Sequence, residues 1–208
     1  MANKSSHPPT SPPTRCDDPS NRLRLFIGVT PPTPLSQELQ AMGKTWQKQL
    51  PMCRWLDPKG WHLTLHFLGH LDKTYLQEVI EGMNQVADQT PPITLRPTGW
   101  GVFPDFRHPR VFWLGWGGND LQALERLHHG LLKLPAEKMA SHKSYRPHLT
   151  LGKIRKPAPI PKESWQALPL PQSPWPITRI ELYQSTLTPQ GAVYQIRHAT
   201  PLNGTPTP

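Results

Sequence analysis

Trp61-His62-Leu63-Thr64-Leu65-His66-Phe67-Leu68-Gly69 decides the fold, because its core tetrapeptide returns 86 residues later as His148-Leu149-Thr150-Leu151. Both copies have strand composition, and successive strand side chains point to opposite faces. His62 and Thr64 then share one face while Leu63, Leu65 and Phe67 anchor the other. In the second copy His148 and Thr150 oppose Leu149 and Leu151. Ile154 falls on the histidine face by strict counting, which predicts a bend or bulge near Gly152. Each strand offers one imidazole and one hydroxyl above an apolar underside.

Outward from these strands, elements alternate. Leu23 to Val29 reads as a strand, and Leu35, Leu39, Met42, Trp46 and Leu50 lie at helical spacing. Arg54 to Leu56, the turn Asp57-Pro58-Lys59-Gly60, and Trp61 to Leu68 give strand, turn and first motif strand. Asp72 is placed to cap a helix with Leu76, Val79, Ile80, Met83 and Val86 in one stripe. The second half echoes this order. Ile93 to Thr98 and Val111 to Trp116 read as strands, and Asn119 with Gln122 resembles a capping box before Leu121, Leu124, Leu127 and Leu131. A proline-rich connection over 156–176 allows only a short helix around Glu163 to Leu168. Ile177 to Leu187 and Ala192 to His198 form a hairpin around Pro189-Gln190-Gly191. Without a regular βαβ period or glycine-rich phosphate loop, the pattern predicts an α+β fold. Two similar half-units imply two antiparallel-sheet lobes with flanking helices, related by a pseudo-two-fold around a central cleft.

Composition sets the bounds. The chain has 208 residues, 28 of them proline, and a formal charge of +9, which favours an anionic partner. Residues 1–21 and 201–208 lack apolar periodicity and read as disordered tails, leaving a domain over 22–200. Cys16 and Cys53 are the only cysteines, so neither a disulfide framework nor a thiolate metal cluster is expected. No apolar run reaches membrane-spanning length and no signal-peptide core is present, so the expectation is a cytoplasmic protein with no membrane partner. With no heptad seam, a monomer is the default.

Two imidazoles and two hydroxyls facing one another suit a phosphodiester. One imidazole takes a proton from attacking water while the other donates to the departing oxygen, and Thr64 and Thr150 bond the non-bridging oxygens. Lys153, Arg155 and Arg110 are the candidates for neutralising substrate charge, with Lys156 extending a candidate nucleic-acid track. This scheme needs no metal and no cofactor. His66 shares the face of His62 but lies about 13 Å along the strand, so it reads as a surface or cleft-edge residue. His128 and His129 diverge on a helix and default to a solvated face; His7 belongs to the leader. Among the aromatics, Trp46 belongs to the core, as do Trp113 and Trp116 more often than to a platform. Phe26, Phe103 and Trp100 are candidates for stacking on bases.

The twin motif resembles the signature of the two-histidine phosphoesterases. Arg24-Leu25-Phe26-Ile27-Gly28, the Trp61–Gly69 stretch, Phe103-Pro104 with Pro109-Arg110-Val111, Arg146-Pro147-His148, Leu182-Tyr183-Gln184-Ser185 and Gly191-Ala192-Val193-Tyr194 narrow the resemblance. They are similar to the bacterial RNA 2',3'-cyclic phosphodiesterases, historically called 2'-5' RNA ligases, over roughly 22–200. The resemblance implies a bilobal fold with the site in the cleft. It also implies hydrolysis of an RNA terminal 2',3'-cyclic phosphate to a 2'-phosphomonoester, with weak reverse 2'-5' joining. It assigns His62 as proton donor and His148 as proton acceptor; the residues alone leave that order open. Relatives commonly carry Arg where Lys153 stands, which keeps the charge but loses the bidentate fork. The alternatives are a two-histidine enzyme for a small cyclic nucleotide or ADP-ribose cyclic phosphate, and a non-catalytic binding module.

Overall fold

The computed structural model describes residues 21–137, 145–154, 161–166, 168–189 and 191–205. Arg155 and Lys156, and nearly all of the leader, lie outside the described residues. The elements run β1 (Arg22–Val29), α1 (Thr33–Gln49), β2 (Cys53–Trp55), β3 (Leu63–Asp72), α2 (Leu76–Asp88), β4 (Ile93–Phe103), β5 (Val111–Gly117), α3 (Leu121–Leu131), β6 (His148–Ile154), α4 (Lys162–Gln166), β7 (Trp175–Ile177), β8 (Arg179–Thr188) and β9 (Gly191–Pro201). The α+β class follows directly. Among the described residues the strands form one sheet in the order β7-β4-β5-β6-β3-β1-β8-β9, with β2 added against β6. The two motif strands are central neighbours, and four strands of this order lie in each half.

Both halves pack their apolar face onto the helices. Leu35, Leu39 and Trp46 of α1, Val79 and Met83 of α2, and Leu124, Leu127 and Leu131 of α3 are all buried. Trp46 closes on Trp55 and Trp100 at ring distances of 5.6 and 5.0 Å. The motif leucines Leu63, Leu65, Leu149 and Leu151 belong to this core, each at most 1% exposed. Burying such a leucine contributes about 1.5–3 kcal/mol, so the motif strands are firmly held from below.

The bulge expected near Gly152 is present. Phe112 pairs with Gly152 and Trp113 with Thr150, which leaves Leu151 as the extra residue. A second bulge sits at the same motif position of β3: Ile27 pairs with His66 and Gly28 with Thr64, leaving out Leu65. The alternation predicted for the first copy therefore fails beyond Leu65. Phe67 leaves the underside and lies opposite Phe26 on the histidine face, whereas His66 pairs with the fully buried Ile27.

Other local expectations shift. Asp72 accepts a hydrogen bond from the Thr74 amide and caps a 3-10 turn ahead of α2. No capping box opens α3; Asp120 stands at its N-cap, and its carboxylate accepts from the Thr94 amide of β4 instead. β4 runs five residues past its expected end, through Gly99, whose φ of 146° permits the irregular register there. The ordered body also passes Thr200. Leu202 is buried, and the amides of Leu202, Asn203 and Gly204 donate to Thr178, Ala87 and Thr90 carbonyls. No helix among the described residues is long and apolar enough to cross a membrane.

Candidate active site

Antiparallel pairing of Leu63 with Leu149 brings the two motifs side by side. Side chains directly opposite share a face, and both leucines point into the core. Continuing the pairing one residue either way sets His62 across from Thr150 and Thr64 across from His148 on the open face. The backbones come close here. A Cβ on Gly28, the partner of Thr64, would stand 2.8 Å from the Leu63 carbonyl oxygen, so only glycine lets β1 approach β3 at this point.

The two imidazoles are held alike. His62 Nδ1 lies 2.8 Å from the Gly60 carbonyl oxygen and His148 Nδ1 lies 2.7 Å from that of Arg146. A carbonyl only accepts, so each Nδ1 carries the hydrogen and each Nε2 is left for chemistry. His62 rests on Phe26 with centroids 4.6 Å apart and meets the edge of Tyr194 at 4.8 Å. His148 meets the edge of Phe103 at 5.0 Å and lies 5.9 Å from Trp113. Burial holds both histidines below the ordinary imidazole pKa against the opposing pull of their carbonyl partners, and the charge of His148 lowers His62 further. The two rings therefore sense each other. Neither threonine hydroxyl bonds another described residue; Tyr145 instead donates to the Thr64 carbonyl at 3.2 Å.

The bulge at Leu151 also decides where the cation goes. A Cβ on Gly152 would collide with the buried Cys53 Sγ, so Gly152 faces the core with Leu151 and Ile154. Lys153 thereby returns to the face of His148 and Thr150, exposed, with Arg54 of β2 as its cross-strand neighbour. Unbroken alternation would have buried that lysine. Sequence reasoning missed Arg54, because only the β2–β6 pairing brings it there. Arg110 is exposed one residue before Val111, the other partner of Lys153, and its backbone is tied to Phe103 and Ile154. Arg155 lies outside the described residues.

Several candidates leave the site. His66 turns toward α3, where burial and the charge of His128 lower its pKa to about 4. His128 is no solvated residue: its Nδ1 donates to the Leu65 carbonyl at 2.7 Å, and its ring stacks on Tyr145 at 4.0 Å. Phe26 and Trp100 are buried, at 1% and 7% exposure, and offer no face to a base; Phe103 keeps partial exposure beside His148. Among the described residues no three His, Cys, Asp or Glu side chains converge on a metal position.

A family model described as the 2'-5' RNA ligase superfamily matches residues 31–188. The chain is 27% identical to the RNA 2',3'-cyclic phosphodiesterase of Aquifex aeolicus, over 84% of this chain and 94% of that protein. It is 30% identical to the protein of the same name from Bacillus subtilis, over 70% and 82%. Among solved structures, TT0787 of Thermus thermophilus superposes with a TM-score of 0.69 at 27% identity, covering 88% of this chain and 99% of that one. Escherichia coli LigT complexed with phosphate shares the fold at a TM-score of 0.65 and 21% identity, over 88% and 98%.

Proposed function

This chain belongs to the 2'-5' RNA ligase superfamily, and on that premise we propose that it hydrolyses the terminal 2',3'-cyclic phosphate of RNA to a 2'-phosphomonoester. The observation that carries the reading is the matched pair of imidazoles, each fixed through Nδ1 to a carbonyl two residues before it, on strands paired at Leu63 and Leu149 and close enough for the charge of His148 to act on His62.

His148 Nε2 takes a proton from water as the water oxygen bonds to phosphorus. The bond from phosphorus to the 3' oxygen breaks, and protonated His62 gives its Nε2 proton to that oxygen, leaving phosphate on the 2' oxygen. Thr64 and Thr150 donate to the non-bridging oxygens, where charge accumulates, and Lys153 balances it from β6. Every proton is supplied and received by the pair, so no step calls on a metal or cofactor. With a 5' hydroxyl attacking phosphorus in place of water, the same proton exchanges break the bond to the 3' oxygen and give weak 2'-5' joining.

The test is hydrolysis of a short RNA ending in a 2',3'-cyclic phosphate, with EDTA present and 2'- and 3'-phosphate products resolved. The 2'-phosphate is expected, with losses of at least about a hundredfold in His62→Ala and in His148→Ala. A folded protein that turns over only a small cyclic nucleotide or an ADP-ribose cyclic phosphate would transfer the reading to that substrate class. Inertness toward all of these would leave a binding module.

A further inference from the structure

The bulged leucines of the two motif strands, Leu65 and Leu151, have their carbonyls bonded in different ways. In β6 the main chain does it. The Leu151 carbonyl accepts from the Leu56 amide at 2.8 Å, and β2 pairs onward along Gly152, Lys153 and Ile154. In β3 the pairing with β6 is Leu63 with Leu149, and among the described residues no further ladder pair continues it along Thr64 and Leu65. Side chains stand there instead. His128 Nδ1, from α3, donates to the Leu65 carbonyl at 2.7 Å, and the Tyr145 hydroxyl donates to the Thr64 carbonyl at 3.2 Å. Their rings stack at 4.0 Å, 12° from parallel, so each keeps the other in line with its carbonyl.

Thr64 is the residue that this pair controls. Threonine is stiff at χ1, so holding its backbone aims its hydroxyl, and that hydroxyl has no other described residue to orient it. Tyr145 also stands three residues ahead of His148 in the chain. One segment therefore delivers the proposed base of the second motif and secures the proposed donor of the first. We propose that Tyr145 and His128 are positioning residues that present the Thr64 hydroxyl to the phosphate, doing with side chains what the Leu56 amide does in the other half. This rests on the function proposed above and adds that half of the donor pair is set from outside the motifs.

The experiment follows kcat and KM on a short RNA ending in a 2',3'-cyclic phosphate. Tyr145→Phe keeps the ring and loses the donor. It is expected to lower kcat roughly three- to tenfold with KM within about twofold of wild type, because a donor to a non-bridging oxygen acts in the transition state. His128→Phe is expected to do the same, and His128→Asn, whose amide takes the place of Nδ1, to restore most of the rate. In a Thr64→Val background Tyr145→Phe is expected to lower kcat no further, whereas in a Thr150→Val background it keeps its full effect. Wild-type kcat in Tyr145→Phe overturns the proposal and leaves the function standing. So does an equal loss in the two threonine backgrounds, which would make Tyr145 a general support, or a His128→Asn variant as slow as His128→Phe. No turnover by folded wild type overturns the proposal and the function together.

Discussion

Leu63 of β3 and Leu149 of β6 are direct antiparallel partners at the centre of the sheet. Through that pairing, two motifs far apart in the chain share one core layer and one open face. Continued one residue either way, the pairing sets His62 across from Thr150 and His148 across from Thr64, so under the proposed mechanism a phosphate bound between the strands would meet an acid, a base and two donors together. Both strands carry their bulge at the motif's last leucine, Leu65 and Leu151, which preserves the symmetry of the two halves.

The pH profile should be displaced toward acid. Under the proposed mechanism activity needs one imidazole neutral and the other protonated, and burial lowers both from 6.5. Each therefore holds its proton only at lower pH than free imidazole, and both limbs of the bell move down together. The expected kcat/KM maximum lies below pH 6.5, with clear loss by about pH 8, and the two apparent values belong to the pair. An optimum above about pH 7.5 at constant ionic strength would contradict this arrangement.

Lys153→Ala should lower kcat/KM by roughly tenfold or more, about 1.4 kcal/mol of transition-state stabilisation. Lys153→Arg should stay within a few-fold of wild type or exceed it, because the guanidinium keeps the charge and adds a bidentate fork. Steady-state kinetics on the cyclic-phosphate RNA decide it. Equal losses in both variants would show that Lys153 acts through packing.

Glu181 is 1% exposed and accepts hydrogen bonds from Arg179 Nε and Nη2, both at 2.9 Å, and from the Tyr183 hydroxyl at 2.6 Å. The Tyr183 ring lies flat on Phe26 at 4.8 Å, beneath His62. Glu181→Gln removes the carboxylate and turns an amide toward donors, which should cost about 1–3 kcal/mol. Urea unfolding at neutral pH measures this, and an unchanged midpoint would mean the cluster is not a support.

His66 should make the protein acid-sensitive. Its Nε2 is buried without a partner among the described residues, and burial, helped by the charge of His128, lowers its pKa from 6.5 to about 4. The unfolded chain then binds a proton more readily than the fold. This contribution is fully present above pH 6.5 and is lost as pH falls toward about 4. It amounts to something on the order of 1–2 kcal/mol at about pH 5 after allowing for partial exposure. Chemical denaturation of wild type and His66→Gln at about pH 7 and about pH 5 should show a smaller drop in the variant; parallel drops would assign the sensitivity elsewhere.

Much of the site was legible before folding. The His-x-Thr repeat specifies strands with imidazole and hydroxyl on one face, and the stripes of α1, α2 and α3 follow from the helical period of about 3.6. The phase of Ile154 even betrayed the bulge in β6. Its twin in β3 left no such trace, because Leu63-Leu65-Phe67 is an unbroken apolar alternation and a phenylalanine suits either face by type alone. His128 was misread, and Asn119 taken in place of Asp120 as the cap of α3, for a related reason: the partners of His128 and Asp120, the Leu65 carbonyl and the Thr94 amide, come from distant segments. Local periodicity and side-chain chemistry are properties of the chain itself, and they determined the class of fold and the candidate catalytic quartet. Strand register is a property of pairs of segments. Only when β3 closed against β1 and β6 against β5 was it decided that Lys153 and Phe67 would both face the cleft, since one extra residue on a strand reverses the face of every residue beyond it.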